Sequence, residues 1–369
     1  MKIIKLADLH FGYGGNSLDW QNIQFSYIEN IVLPFIEENT NPDTDIITLE
    51  GDIFHKQDSI DTVVKNKFTS LLNQMRKILP VHIIVGNHDI YREFTTDVNA
   101  LKEYAPYSDV YLYENPKLVT FRREKDYNVY FCPLRCTDED IELALIEANN
   151  SDIYNMVCHG DFKDLRLNAA QIIKHGMDVN KLNNIPFVTS GHIHLRQQKK
   201  NLTMLGCPYM MDKNDINNEK GFWVLDTSND SLTFHQNDYS PKFLKLEYSK
   251  IKDMDEKTVE NMFKNNKIDI LVDYTDTSIN QQNIIDKYSS YGAYNFEVKE
   301  ILKKDKISVN GNDVEIDEFA EYSDTEFNII SLFDEIIDKE DFKYSDLSDD
   351  DKNYLKNKNL EIYSKLMLS

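Results

Sequence analysis

Residues 46–55 read IITLEGDIFH. The run Ile46–Leu49 is too short and too continuously apolar for an amphipathic helix. It has the pattern of a strand covered on both faces. It ends in Glu50-Gly51-Asp52, so a carboxylate leaves the strand beside a glycine that permits close backbone approach to a ligand. Working outward, the same arrangement recurs. KIIKLADLH at 2–10 delivers Asp8 and His10, and VHIIVGNHD at 81–89 delivers Asn87 and His88. MVCH at 156–159 delivers His159, and FVTSGHIH at 187–194 delivers His192 and His194. In an open α/β sheet, residues at the carboxyl ends of strands share one crevice, and ligands bind there. Five of the nine histidines fall at these ends, which scattered surface histidines would not do.

Between the runs the period changes. Trp20, Ile23, Tyr27, Ile28, Ile31, Phe35 and Ile36 follow helical spacing after a Ser17 N-cap. Val64, Phe68, Leu71, Leu72, Met75 and Ile78 form a second helix that stops before Pro80. Strand–helix–strand repetition predicts a layered α/β domain over residues 1–240. Within it, 202–206, 221–226 and 231–235 read as short antiparallel strands closing the edge of a second sheet. SPKF at 240–243 reads as a junction. A small βαβαβ, α+β unit is expected over 241–310, with strands at 243–248, 268–274 and 294–302 and helices near 255–264 and 278–290. An acidic linker is expected over 311–322. Two amphipathic helices, near 324–338 and 348–367, fill 323–369.

Composition bounds the function. The 369 residues are 41% hydrophobic and 28% charged, as in a soluble globular protein. No stretch approaches 18 uninterrupted apolar residues, and the N-terminus runs straight into a strand without a secretory h-region, so a cytoplasmic protein with no membrane partner is expected. Cys132, Cys136, Cys158 and Cys207 form no CxxC pair and read as reduced, buried thiols. The net charge of −22 argues against plain electrostatic binding of nucleic acid. The last third holds 28 acidic and 15 basic residues, so the excess lies mostly there. A polyanionic substrate would need positive charge from metals, a few basic side chains or a partner.

Asp8, His10, Asp52, Asn87, His159, His192 and His194 make seven donors, too many for one tetrahedral zinc. They suit two ions sharing a bridging carboxylate, the arrangement that clamps the attacking and leaving oxygens at phosphorus. The ordered strings Asp-x-His, Gly-Asp, Gly-Asn-His-Asp, His and Gly-His-x-His resemble the calcineurin-like metallophosphoesterase superfamily at every ligand position. GDIFHKQDS around Asp52 and GCPYMMDKNDINNEKGFWVLD at 206–226 are similar to SbcD-type nuclease subunits of DNA double-strand-break repair, including recombination endonuclease subunits of tailed phages.

The resemblance implies a β-sandwich flanked by helices, a small α+β capping and DNA-binding domain and a C-terminal helical segment. It implies that Asp8, His10 and His194 hold one ion, that Asn87, His159 and His192 hold the other, and that Asp52 bridges them. His88 would face the phosphate, with Asp89 orienting it. The hard donor mix makes Mn2+ the expected metal, with Fe2+ or Zn2+ as alternatives. The implied function is an Mn-dependent DNA exonuclease and endonuclease acting on double- and single-stranded DNA. It would be a homodimer docked through its last helices on an SbcC-type coiled-coil ATPase. The alternatives are another phosphoesterase on the same site, a protein phosphatase or nucleotide phosphodiesterase, or a non-catalytic scaffold.

The chain departs from the superfamily's usual Gly-Gly-Asp at Glu50, which reads as extra charge outside the ligand shell. His55, Arg92 and Arg196 are candidate substrate contacts, each weighed against a bland role as a solvated loop or helix-approach residue. His82 reads as a packed strand residue, His175 as the end of a helix before Gly176, and His235 as a solvated strand face.

Overall fold

The computed structural model describes residues 1–56, 59–91, 96–123, 125–133, 146, 152–167, 171–273, 279–301, 308–309 and 312–313. Arg92 and the helices expected over 323–369 lie outside these residues, as does all but 312–313 of the expected linker.

Two six-stranded sheets and one three-stranded sheet organise residues 1–301. The first sheet contains β1 (Lys2–Leu6), β2 (Ile46–Glu50), β3 (Val81–Ile84) and β4 (Val110–Tyr113), all parallel. The second contains β5 (Lys117–Phe121), β6 (Tyr127–Cys132), β7 (Ile153–His159), β8 (Phe187–Gly191), β9 (Gln197–Lys199) and β10 (Leu202–Met204). Here β6, β7, β8 and β10 run parallel and β5 and β9 are antiparallel edges. Then β11 (Gly221–Asp226) and β12 (Ser231–Gln236) return to the first sheet, β11 antiparallel beside β1 and β12 antiparallel beside β11. This corrects the expectation that they close the second sheet. Strand alternation sets which face a residue shows, but not which sheet edge the strand joins.

Ile3, Ile46, Ile84, Val129, Phe131, Val157 and Leu225 form an apolar layer contributed by both sheets. The outer face of the first sheet packs on α1 (Leu18–Tyr27), α2 (Leu33–Asn39) and α3 (Thr62–Ile78) through Phe25, Ile36, Phe68 and Leu72. Every residue of β2 is buried, as its continuous apolar run requires. Ser17 caps α1 by accepting the Trp20 N–H, and Asp61 caps α3. A π-helical turn, Ile28–Val32, joins α1 to α2 ahead of Pro34.

The third sheet is β13 (Phe243–Glu247), β14 (Lys267–Asp273) and β15 (Asn295–Ile301), all parallel. Helices α4 (Tyr248–Ile251), α5 (Glu256–Phe263) and α6 (Gln281–Tyr288) accompany it. It has a core of its own around Val259, Phe263, Ile270, Ile284 and Tyr288.

Three bland readings change. Residues 171–177 are an irregular segment bridged to Phe162 and Arg166 instead of a helix ending at His175. His235 is half-buried, stacked on Phe222 at 4.9 Å. Cys132 is disulfide-bonded, while Cys158 and Cys207 are free and buried. His82 is a packed strand residue as expected, 4% exposed, with Nδ1 2.7 Å from the Tyr113 hydroxyl.

Candidate metal centre

The first sheet supplies four of the seven donors and the second supplies three. Asp8 and His10 follow β1, Asp52 follows β2, Asn87 follows β3, His159 ends β7, and His192 and His194 follow β8. The turns that present them are strained. Asp8, His10, Asp52 and His192 have φ of 53, 43, 53 and 89°. Left-handed backbone at a non-glycine residue costs roughly 1–3 kcal/mol and persists where the surroundings impose it. Here the loops brace one another. The Asp8 N–H donates to the Gly51 carbonyl at 3.1 Å and the His10 N–H to that of Asp52 at 2.9 Å. Gln24 of α1 donates to the Leu9 and His10 carbonyls.

The donors fall into two groups that meet at Asp52. In one, His10 Nε2 lies 2.9 Å from His194 Nε2 and 3.6 Å from Asp52 Oδ2. In the other, Asn87 Oδ1 lies 3.1 Å from His159 Nε2 and 2.9 Å from His192 Nδ1, and His159 Nε2 lies 3.3 Å from Asp52 Oδ1. Ligand atoms each about 2.1 Å from one ion stand about 3 Å apart, so this spacing fits metal coordination. Asp8 Oδ1 accepts the His192 N–H at 2.8 Å, whereas Asp8 Oδ2 is buried without a hydrogen-bond partner. An orphaned buried carboxylate oxygen is what a cation would satisfy.

Tautomers follow from the partners. His159 Nδ1 lies 2.8 Å from the Glu50 carbonyl, which only accepts, so Nδ1 carries a proton and Nε2 is the nitrogen that faces the donor group. The fit is close. A Cβ on Gly51, whose φ is +84°, would lie 2.2 Å from His159 Nδ1. One on Gly191 would lie 2.4 Å from the Glu50 carbonyl oxygen. Burial would depress His159, but Asp52 overrides it and lifts the imidazole to about 9. Burial would likewise raise Asp52, but His159 pulls its carboxyl well below the usual range. These are two sides of one imidazolium–carboxylate contact, and a cation binding there must release the proton. Burial pushes Asp8 up and His10 well down.

His88 and His55 join this site. His88 Nδ1 lies 2.6 Å from the His55 carbonyl, and the His88 N–H donates to Asp52 Oδ1 at 2.8 Å, so Nε2 is the nitrogen left for a substrate. Its ring stands edge-on to His10 at 4.7 Å and stacks on His55 at 5.5 Å. Burial, then the neighbouring His88, push His55 down to about 4.

Residues 1–272 match the calcineurin-like phosphoesterase family. The chain belongs to that family. It is 26% identical over 243 residues to Exonuclease subunit 1 of Enterobacteria phage T4, covering 64% of this chain and 68% of that protein. It is 23% identical over 363 residues to the DNA double-strand break repair protein Mre11 of Nanoarchaeum equitans (strain Kin4-M), covering 91% and 95%. It is 28% identical over 211 residues to the putative phosphoesterase 244L of Invertebrate iridescent virus 6, covering 54% and 67%. Divalent metals are the cofactors of calcineurin-like phosphoesterases, and the converging His and Asp side chains are those that would hold them. Among the described residues, no helix is long and apolar enough to cross a membrane.

Within this phosphoesterase frame three expected roles are corrected. The Asp89 carboxylate accepts the backbone N–H groups of Ile53, Phe54 and Gly86 at 2.9, 3.1 and 3.0 Å. It therefore pins the β2 and β3 loops together, and His88 is oriented by the His55 carbonyl instead. Burial, then Asp52, push the Asp89 carboxyl up to about 7 against those amides. The Arg196 guanidinium pairs with Glu219 at 2.6 Å and lies over the Phe234 ring at 4.2 Å, so it is committed away from a phosphate. Glu50 does not add charge around the donors. Its carboxylate turns inward to Lys5, 3.0 Å away, with both side chains fully buried.

Some supporting residues carry no signal in the donor strings. Asp161 Oδ1 lies 3.3 Å from His192 Nε2, fixing the ring whose Nδ1 faces Asn87. The string HGD at 159–161 was its only trace. Lys220 donates to the His194 carbonyl at 2.7 Å and pairs with buried Asp215, which explains why the stretch 206–226 is tied to the site.

Proposed function

We propose that the protein is a two-metal phosphodiesterase acting on DNA, an Mn-dependent exonuclease and endonuclease that forms the nuclease subunit of an SbcCD-like repair or recombination complex. The observation that carries the reading is the division of the two Asp52 oxygens between two donor groups, 3.3 Å from His159 and 3.6 Å from His10. Asp8, His10 and His194 would hold one ion, Asn87, His159 and His192 the other, with Asp52 between them. Bound there, two divalent ions supply Lewis-acid activation of the phosphodiester and of the attacking water. The chain's own residues do the rest. His88, its Nδ1 tied to His55, offers Nε2 to protonate the leaving oxygen, and His55 flanks the same phosphate. Asp89 holds the two loops at the spacing this needs.

The phage exonuclease subunit and the archaeal repair protein support DNA as the substrate. On this reading residues 241–310 cap the DNA, residues 323–369 dock a coiled-coil ATPase, and the protein is a cytoplasmic homodimer. The test is end-labelled duplex and single-stranded DNA incubated with pure protein, with and without Mn2+. Manganese-dependent shortening is expected. Rapid hydrolysis of phosphopeptides or cyclic nucleotides with DNA left intact would sink it in favour of another phosphoesterase activity.

A further inference from the structure

A charged cluster interrupts the apolar layer between the two sheets. Lys5 on β1 places Nζ 3.0 Å from Glu50 Oε1, 2.8 Å from Asn155 Oδ1 and 3.1 Å from Thr189 Oγ1, one acceptor for each ammonium proton. Glu50 Oε1 also accepts from Thr48 at 3.0 Å and Thr189 at 3.1 Å. Lys5, Thr48 and Glu50 belong to the first sheet, and Asn155 on β7 and Thr189 on β8 belong to the second. We propose that Lys5 and Glu50 are positioning residues, a buried pair of the first sheet that bonds across to Asn155 and Thr189 and so sets how the donors of the second sheet meet Asp52 of the first. This rests on the metal-dependent phosphodiesterase reading above.

The placement is the argument. Glu50 directly precedes Gly51-Asp52, and its carbonyl holds His159 Nδ1. Asn155 lies four residues before His159 on β7, and Thr189 lies three before His192 at the end of β8. The segments joined by the cluster, β1, β2, β7 and β8, therefore carry every donor but Asn87. Because the donors divide between two sheets, any slide of one sheet moves His159, His192 and His194 together against Asp52. Apolar side chains such as Ile3, Ile46 and Val157 resist separation of the sheets but tolerate sliding. Directional hydrogen bonds from a charged pair do not.

Stability alone does not account for the pair. Replacing a buried ion pair by well-packed apolar residues is often neutral or stabilising. Here Glu50 Oε2 is moreover buried without a partner. What the pair adds is one fixed arrangement, and metal coordination distances tolerate only about 0.2 Å.

The experiment compares wild type, the double variant Lys5→Met/Glu50→Leu and the conservative Glu50→Gln. Each metal-free protein is titrated calorimetrically with Mn2+, its manganese EPR spectrum is recorded, and its thermal unfolding is followed. The double variant is expected to unfold at or above the wild-type temperature. It should bind at least one ion about 10–100-fold more weakly, the range found when groups that orient ligands are lost. It should also lose the exchange-coupled signal of a manganese pair. Glu50→Gln keeps an acceptor for Lys5 and should restore both. Affinities within twofold of wild type in the double variant would overturn the positioning role. So would a double variant that does not fold, since the pair would then be a stability element. A wild type that takes up no divalent ion would overturn the metal reading itself, and this inference with it.

Discussion

The substitution Gly51→Ala tests the metal centre through a single methyl group. The new Cβ would sit 2.2 Å from His159 Nδ1, 2.7 Å from Cγ and 2.9 Å from Cε1. Ordinary contact is about 3.5 Å, so the ring must retreat by more than about 1 Å. It is fully buried and held at both nitrogens, so it cannot do so without breaking its bond to the Glu50 carbonyl. Alanine at φ +84° adds about 1–2 kcal/mol of backbone strain, and the broken buried hydrogen bond adds about 1–3 kcal/mol. Together these give a loss of about 2–5 kcal/mol, which lowers the unfolding temperature by several degrees. The effect on metal is larger in consequence, because a ligand displaced by about 1 Å no longer coordinates. Elemental analysis after dialysis against Mn2+ should show the variant short of one ion. Gly15→Ala is the control. It has φ +68° but meets nothing within 4 Å, so it should cost the strain and keep both ions. A Gly51→Ala protein with wild-type metal content and unfolding temperature would refute the placement of His159.

Three further outcomes are expected. On the proposed mechanism His88 supplies a proton and no ligand, so His88→Ala should retain both ions while DNA cleavage falls about 10²–10⁴-fold; loss of metal in that variant would show its role misassigned. Asp161→Ala should weaken metal binding about 10–100-fold by freeing His192 Nε2, read by manganese titration; unchanged affinity would remove Asp161 from the site. The third concerns acid stability. Burial pushes His82 down to about 3, against 6.5 in the unfolded chain. Between those values the unfolded state takes the proton and the folded state does not, so this contribution to stability is intact above pH 6.5 and declines toward pH 3. At pH 5 it has lost about 2 kcal/mol. His82→Phe, which keeps the stacking on Phe131 and Tyr111, should flatten that part of the pH profile in urea unfolding. Identical profiles for the two proteins would contradict it.

The site was legible because its donors are local events. Each stands at the end of an apolar run, and the strings LADLH, EGDIFH, VGNHD and SGHIH each join a strand end to its donor. The supporting contacts were not legible, because they join residues far apart in the chain. Asp89 looks like a partner for adjacent His88, but its carboxylate is taken by amides of Ile53 and Phe54, more than thirty residues earlier. Arg196 sits two residues past a donor, and its guanidinium goes instead to Glu219.

From its residues alone the chain determined the donor-bearing strands, the helices between the first three of them and which donor types stand at the strand ends, because apolar runs and helical period are properties of neighbours. Only the tertiary structure decided that β11 and β12 join the first sheet, that each Asp52 oxygen faces a different donor group, and that Lys5 meets Glu50, Asn155 and Thr189 between the sheets. Those outcomes depend on how two sheets stack, and stacking is settled by packing and directional bonds between residues up to 184 positions apart.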